Sequence, residues 1–234
     1  MRQYHSQISG VVVCSFAYFL ISIPTFMLTD HVLHLALVWN LFLAVLPLLF
    51  AALVNQAVAK AKKAVFGLLW LLFFPNALYM ITDFIHISRL TYYSRVDQYW
   101  LSQVVYSTDI IIWLKLVHIG LGALLGTLAG LLSLYIIHQL LLKKSRPAVA
   151  GLAIVASCVL AGYGIFIGRF LRLNSWDIFR PVRLCSQLIN HTDGFAVLYT
   201  ALFAAYILAA YGVFFVLFHR KGTEPESSAT DPKQ

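Results

Sequence analysis

Residues 117–142 read VHIGLGALLGTLAGLLSLYIIHQLLL, without an Asp, Glu, Lys or Arg over the whole length. About 20 apolar residues cross the hydrocarbon core of a bilayer as a helix, and a helix satisfies its own backbone polar groups there. Working outward, comparable runs lie near residues 8–28, 33–54, 64–82, 148–168 and 195–218. The chain is 61% hydrophobic and 11% charged over 234 residues, whereas soluble domains carry about 25% charged residues. The expected fold is all-α: a polytopic transmembrane helix bundle of six spans, with residues 1–221 as a single transmembrane domain. The run from Ile8 to Leu28 is followed by Thr29-Asp30-His31 rather than a small-x-small site, so it reads as a retained span, not a cleaved leader. The polar stretch 222–234, GTEPESSATDPKQ, reads as a disordered tail.

Segment 104–116, VVYSTDIIIWLKL, is the ambiguous stretch. As a seventh span it would bury Asp109 and Lys115 and erase the charge asymmetry between the two faces, so it is expected to be an interfacial or re-entrant helix. With six spans, ten basic residues fall on the side of the N-terminus, including the clusters Lys60/Lys62/Lys63 and Lys143/Lys144/Arg146. Seven fall on the other side: Arg89, Arg95, Lys115, Arg169, Arg172, Arg180 and Arg183. The positive-inside rule then makes both termini cytoplasmic.

The formal net charge of +8 arises from these short inter-span clusters, which accounts for it by membrane orientation without a nucleic-acid partner. Cys14, Cys158 and Cys185 form neither a disulfide framework nor a CxxC pattern. No phosphate-binding loop, dinucleotide fingerprint or nucleophile elbow occurs, and no cofactor is expected. Gly122, Gly126 and Gly130 recur every four residues, as do Gly164 and Gly168. Small residues at this spacing let helices approach closely, within the chain or between copies in a homo-oligomer. Membrane lipids are the other expected partners.

Two segments gather unusual polar residues at the face opposite the termini. In FFPNALYMITDFIH, a continued helix places Asn76, Tyr79, Asp83 and His86 on one side at spacings of three, four and three. In GRFLRLNSWDIF, Arg169 and Arg172 stand one turn apart at a span end, and Asn174, Ser175 and Asp177 read as a helix start. An ion pair between Asp83 and Arg169 or Arg172 is the direct expectation, because a charge near the bilayer needs a partner. Asp83 and His86 could share a metal with Asp177, Asp109 or His118, but no specific metal signature occurs, and no metal is expected.

Those two segments, residues 73–86 and 168–179, resemble the family of bacterial membrane proteins known as domain of unknown function 1361. The resemblance extends loosely over the hydrophobic chain. It implies a multi-pass protein of the bacterial cytoplasmic membrane and carries no activity or catalytic residue. Three functions fit the residues. The polar face could bind or transport an anionic or lipid-linked solute, the arginines receiving the anion. It could act on an envelope lipid, with His86 or Asp83 as acid/base. Or the polar stripe could simply lock two helices together.

Overall fold

The computed structural model of the protein describes residues 4–98, 101–173 and 192–221, together with positions 180, 182, 186, 187 and 190. The stretch 222–234 expected to be disordered and the helix start at 174–177 lie outside the described residues. Among the described residues, six helices are long and apolar enough to cross a membrane. They are α1 (His5–Thr29), α2 (Leu33–Gln56), α3 (Lys60–Tyr79), α4 (Ile110–Leu142), α5 (Pro147–Phe166) and α6 (Gly194–Lys221). A ten-residue 3₁₀ segment, Met80–Arg89, extends α3, and a π turn, Ile167–Leu171, extends α5.

The bundle is organised around α4. Of its most apolar stretch 72% is buried, against 17% for α1 and 22% for α6. The outer helices turn Val13, Phe16, Leu20, Leu198, Leu202 and Leu217 outward, which in water would be an aggregation surface and in a bilayer is the lipid contact. The reason α4 can sit at the centre is its glycine row. A Cβ on Gly122 would come within 2.7 Å of the Tyr18 hydroxyl, on Gly126 within 2.9 Å of the Ala77 carbonyl oxygen, and on Gly130 within 2.9 Å of the Ala77 Cβ. This chain's own α1 and α3 therefore fill the row. The second pair works the same way: Gly164 lies under the Pro75 ring and Gly168 under the Tyr79 ring. Pro75 is thus accommodated inside α3 by a neighbour without a side chain.

The tight connection between α1 and α2 turns on Asp30, whose φ of 45° is left-handed, a conformation Asp tolerates better than most residues. Its N–H donates to the Phe26 carbonyl at 2.8 Å and closes α1. That turn brings His31 and His34 to the same end of the bundle as the 3₁₀ segment.

Segment 104–116 is not a separate interfacial or re-entrant helix. Its first part belongs to an antiparallel hairpin, β1 (Tyr93–Gln98) with β2 (Leu101–Tyr106), paired from Tyr93 with Tyr106 to Gln98 with Leu101. Its second part is the head of α4, which runs unbroken from Ile110. The physical reasons are local. Val104, Val105 and Tyr106 are β-formers. Asp109 is an N-cap whose carboxylate accepts from the Ile111 N–H at 2.9 Å. Asp109 is exposed, so no charge is buried there.

The glycine row can be tested by contrast on one helix. Gly126→Ala is expected to destabilise the protein by roughly 1–3 kcal/mol, because backbone lies within the new Cβ's radius. Gly120→Ala, with nothing within 4 Å, should be neutral or slightly stabilising. Thermal unfolding of the two variants in detergent reads the difference.

Candidate functional site

The 3₁₀ form of residues 80–89 decides which side chains meet. Thr82 Oγ1 donates to the Tyr79 carbonyl and Ser88 Oγ to the Ile85 carbonyl, each at 2.6 Å and each reaching back three residues. In a 3₁₀ helix, positions three apart eclipse one another. Met80, Asp83, His86 and Arg89 therefore form one row. Met80 and Asp83 are buried, His86 is half-buried and Arg89 is exposed.

Asp83 is 3% exposed, and both of its oxygens have partners. Arg169 Nη2 donates to Oδ1 at 2.8 Å, and Asn40 Nδ2, from α2, donates to Oδ2 at 3.2 Å. Arg169 also donates to Thr82 Oγ1, through Nε at 3.1 Å and through Nη2. Its guanidinium carbon lies 4.6 Å from the centre of the Tyr79 ring, a cation–π contact. Four elements thus meet at one carboxylate: α2, the end of α3, the 3₁₀ segment and the π turn. Gly164 and Gly168 let α5 approach α3 closely enough for Arg169 to reach across.

The remaining expected site residues divide. Asn76 is half-buried and donates to the Phe73 carbonyl at 3.1 Å, among other contacts. Arg172 ends the π turn in a left-handed conformation, φ 53°, and is exposed, so it stands apart from Asp83. Asn174 and Asp177 lie outside the described residues. His86 Nε2 is 4.0 Å from Asp83 Oδ1, too far for a hydrogen bond, and its ring lines a separate cleft.

That cleft has an empty volume of about 380 Å³, its open mouth included, and is bounded by the α1–α2 turn, the 3₁₀ segment and the head of α4. His31, His34, His86, Arg89 and Lys115 line it with Leu33, Leu90 and Ile119, and no carboxylate does among the described residues. Its floor is a second buried polar group. His34 and His118 face each other at 3.0 Å between Nδ1 atoms, and Ser22 Oγ and the Tyr18 hydroxyl lie 2.8 and 3.2 Å from His118. His118 is therefore committed to α1 and α2 and is not part of a shell around Asp83. Among the described residues no three His, Cys, Asp or Glu side chains gather in a way that could hold a metal ion.

The sequence reading did not select Asn40, Arg89, Lys115, His34, Tyr18 or Ser22. A signal existed for His34 and His118, since each is an ionisable residue inside an apolar run. None existed for Asn40, whose partner lies 43 positions away.

A family model described as Protein of unknown function (DUF1361) matches residues 39–211. The chain belongs to this family. No curated protein and no solved structure matches it. The part of the chain matched to DUF1361 takes in Asn40, Asp83, Arg169, Arg89, Lys115 and His118, whereas Tyr18, Ser22, His31 and His34 precede it.

The lock predicts a specific energetic pattern. Arg169→Met leaves the buried Asp83 carboxylate without its cation and should destabilise the protein by about 3–5 kcal/mol. Adding Asp83→Asn should restore part of that loss, since the unpaired charge is then gone. Arg172→Met, at an exposed position, should stay within about 0.5 kcal/mol of the parent. Unfolding of the three variants in detergent measures all of these differences.

Proposed function

We propose that the protein binds an anionic group, carried by a small solute or by a lipid-linked one, in the cleft lined by Arg89, Lys115, His31, His34 and His86. The same reading places this face outward in a bacterial cytoplasmic membrane, with both termini cytoplasmic. One observation carries it: the cleft gathers two cations and three imidazoles, with no carboxylate lining it among the described residues. Cations near a bilayer ordinarily pair with an opposite charge. Arg89 and Lys115 have no ion-pair partner among the described residues, so an anion from outside the chain fits them.

This reading moves the anion site away from Arg169, whose guanidinium is occupied by Asp83, Thr82 and Tyr79. A structural role suits that pair better, because the Asp83 carboxylate has both oxygens engaged and is sealed from solvent. The same engagement argues against Asp83 as a general base, which must be free to take a proton. Ile119, which lines the cleft, is 1% exposed, and Leu37 and Met80 are fully buried in the bundle, which favours holding a ligand over an open path through it.

Inorganic phosphate, compared with chloride at equal ionic strength, should raise the unfolding temperature of the purified protein. Ligand at 100 times its dissociation constant stabilises by about 2.7 kcal/mol. The double variant Arg89→Gln/Lys115→Gln should lose the response and keep its ligand-free unfolding temperature. Indifference of the parent protein to phosphate, sulfate and anionic lipid alike would remove the anion reading.

A further inference from the structure

His34 is the one histidine lining the cleft that is completely buried, at 0% exposure. Its Nδ1 lies 3.0 Å from His118 Nδ1, with the two rings close to perpendicular at 83°. Its Nε2 is buried and has no hydrogen-bond partner among the described residues. Folded proteins leave few such atoms unsatisfied. This one belongs to a side chain that borders a cleft built for anions.

Which kind of partner Nε2 needs follows from the hydrogens behind it. Ser22 has one hydroxyl hydrogen, and the Tyr18 carbonyl takes it at 2.7 Å. Ser22 Oγ therefore accepts from His118 Nε2 at 2.8 Å, so His118 carries its hydrogen on Nε2. In a neutral ring the Nδ1 of His118 is then an acceptor. With the Tyr18 hydroxyl donating to the His118 carbonyl at 3.3 Å, the hydrogen between the two Nδ1 atoms, 3.0 Å apart, comes from His34. With its hydrogen on Nδ1, neutral His34 presents a bare lone pair at Nε2. The serine on α1 thus sets, through two rings, the character of a buried atom on α2, in a side chain that lines the cleft.

We infer that the cleft takes a phosphate group that bears a P–OH hydrogen, free or on a lipid headgroup, whose P–OH donates to His34 Nε2 once the lining side chains that cover this atom shift, while its anionic oxygens face Arg89 and Lys115. This rests on the anion-binding reading and narrows it to an anion that brings a hydrogen. Sulfate has the same size and charge density but carries no hydrogen near neutral pH. It would set an oxygen lone pair against the His34 lone pair. A phosphate monoester has its second proton half bound at about pH 6, so the required form is abundant there.

The test measures the binding of inorganic phosphate and sulfate to the full-length protein in detergent slightly above neutral pH, where hydrogen phosphate and sulfate are both dianions and differ in the P–OH hydrogen. Phosphate is expected to bind about tenfold or more tightly than sulfate, the effect of one hydrogen bond to a charged group. In His34→Leu the two anions should bind equally, still held by Arg89 and Lys115. His34→Gln, whose Oε1 accepts at a similar place, should keep a preference for phosphate. Should the leucine variant fail to fold, nitrogen NMR of isotope-labelled histidine in the parent protein answers the same question. His34 Nε2 should read as unprotonated without ligand and should shift with phosphate but not with sulfate. The two sources are separated at about pH 6 in nanodiscs containing either phosphatidic acid, a monoester, or phosphatidylmethanol, a diester with no P–OH. Response to phosphatidic acid alone assigns the headgroup; response to inorganic phosphate alone assigns the free anion. Equal binding of phosphate and sulfate by the parent protein overturns the inference and leaves the anion cleft standing. Binding of neither overturns both.

Discussion

A carboxylate held among apolar helices persists only if opposite charge and hydrogen-bond donors reach it without water, and at Asp83 that requirement shapes the bundle. The guanidinium of Arg169 supplies the charge from α5 and Asn40 supplies a second donor from α2. For Arg169 to arrive, α5 must lie close to α3, so residue 164 cannot carry a side chain where Pro75 sits, and one at 168 would press on the Tyr79 ring. For Asp83 to face inward, the chain after Tyr79 must tighten to three residues per turn, which the hydroxyls of Thr82 and Ser88 support. Glycine spacing, 3₁₀ geometry and ion pair are therefore one arrangement. In lipid, where apolar contact gives helices little reason to prefer one another, such a polar point of contact fixes register.

Much of this arrangement was legible in the sequence. The apolar runs near 8–28 through 195–218 correspond to the six helices, because span length is set by bilayer thickness and needs no tertiary information. The pairing of Asp83 with Arg169 followed from the scarcity of charge near the membrane. The choice between Arg169 and Arg172 did not. It depends on the π turn, which holds Arg169 inward and leaves Arg172 exposed at a left-handed terminus. In residues 104–116 local propensity outweighs apolar content, and the segment divides between a strand and a helix. The capping signal at Asp109 and the β-forming run before it mark the boundary between hairpin and helix.

What the sequence hid was association at long range. Asn40 looks like an ordinary polar residue of α2 until α3 places Asp83 against it. Tyr18, Ser22, His34 and His118 are spread over 100 positions and come together only because the α1–α2 turn and the glycine at 122 bring α1 and α2 against α4. A helical row of spacing three and four also left Arg89 out. The 3₁₀ geometry, with its exact repeat of three, puts Arg89 in line with Asp83 and His86 and delivers a cation to the cleft.

The two polar systems at this end of the bundle differ in what they leave unsatisfied, and that difference separates architecture from function. Around Asp83 the carboxylate oxygens are both engaged and charge is balanced within the chain, so nothing there asks for a ligand. Among the described residues the balance in the neighbouring cleft is incomplete twice over: Arg89 and Lys115 lack a counter-charge, and His34 Nε2 lacks a donor. Both deficits border the same cleft. A single group that is anionic and also bears a hydrogen meets both, whereas water meets only the second and a bare anion only the first. The sealed pair joins the 3₁₀ segment to the end of α5 beside the cleft. The row Asp83–His86–Arg89 spans the two systems on successive turns of that segment, with its buried carboxylate paired within the chain and its exposed cation lining the cleft.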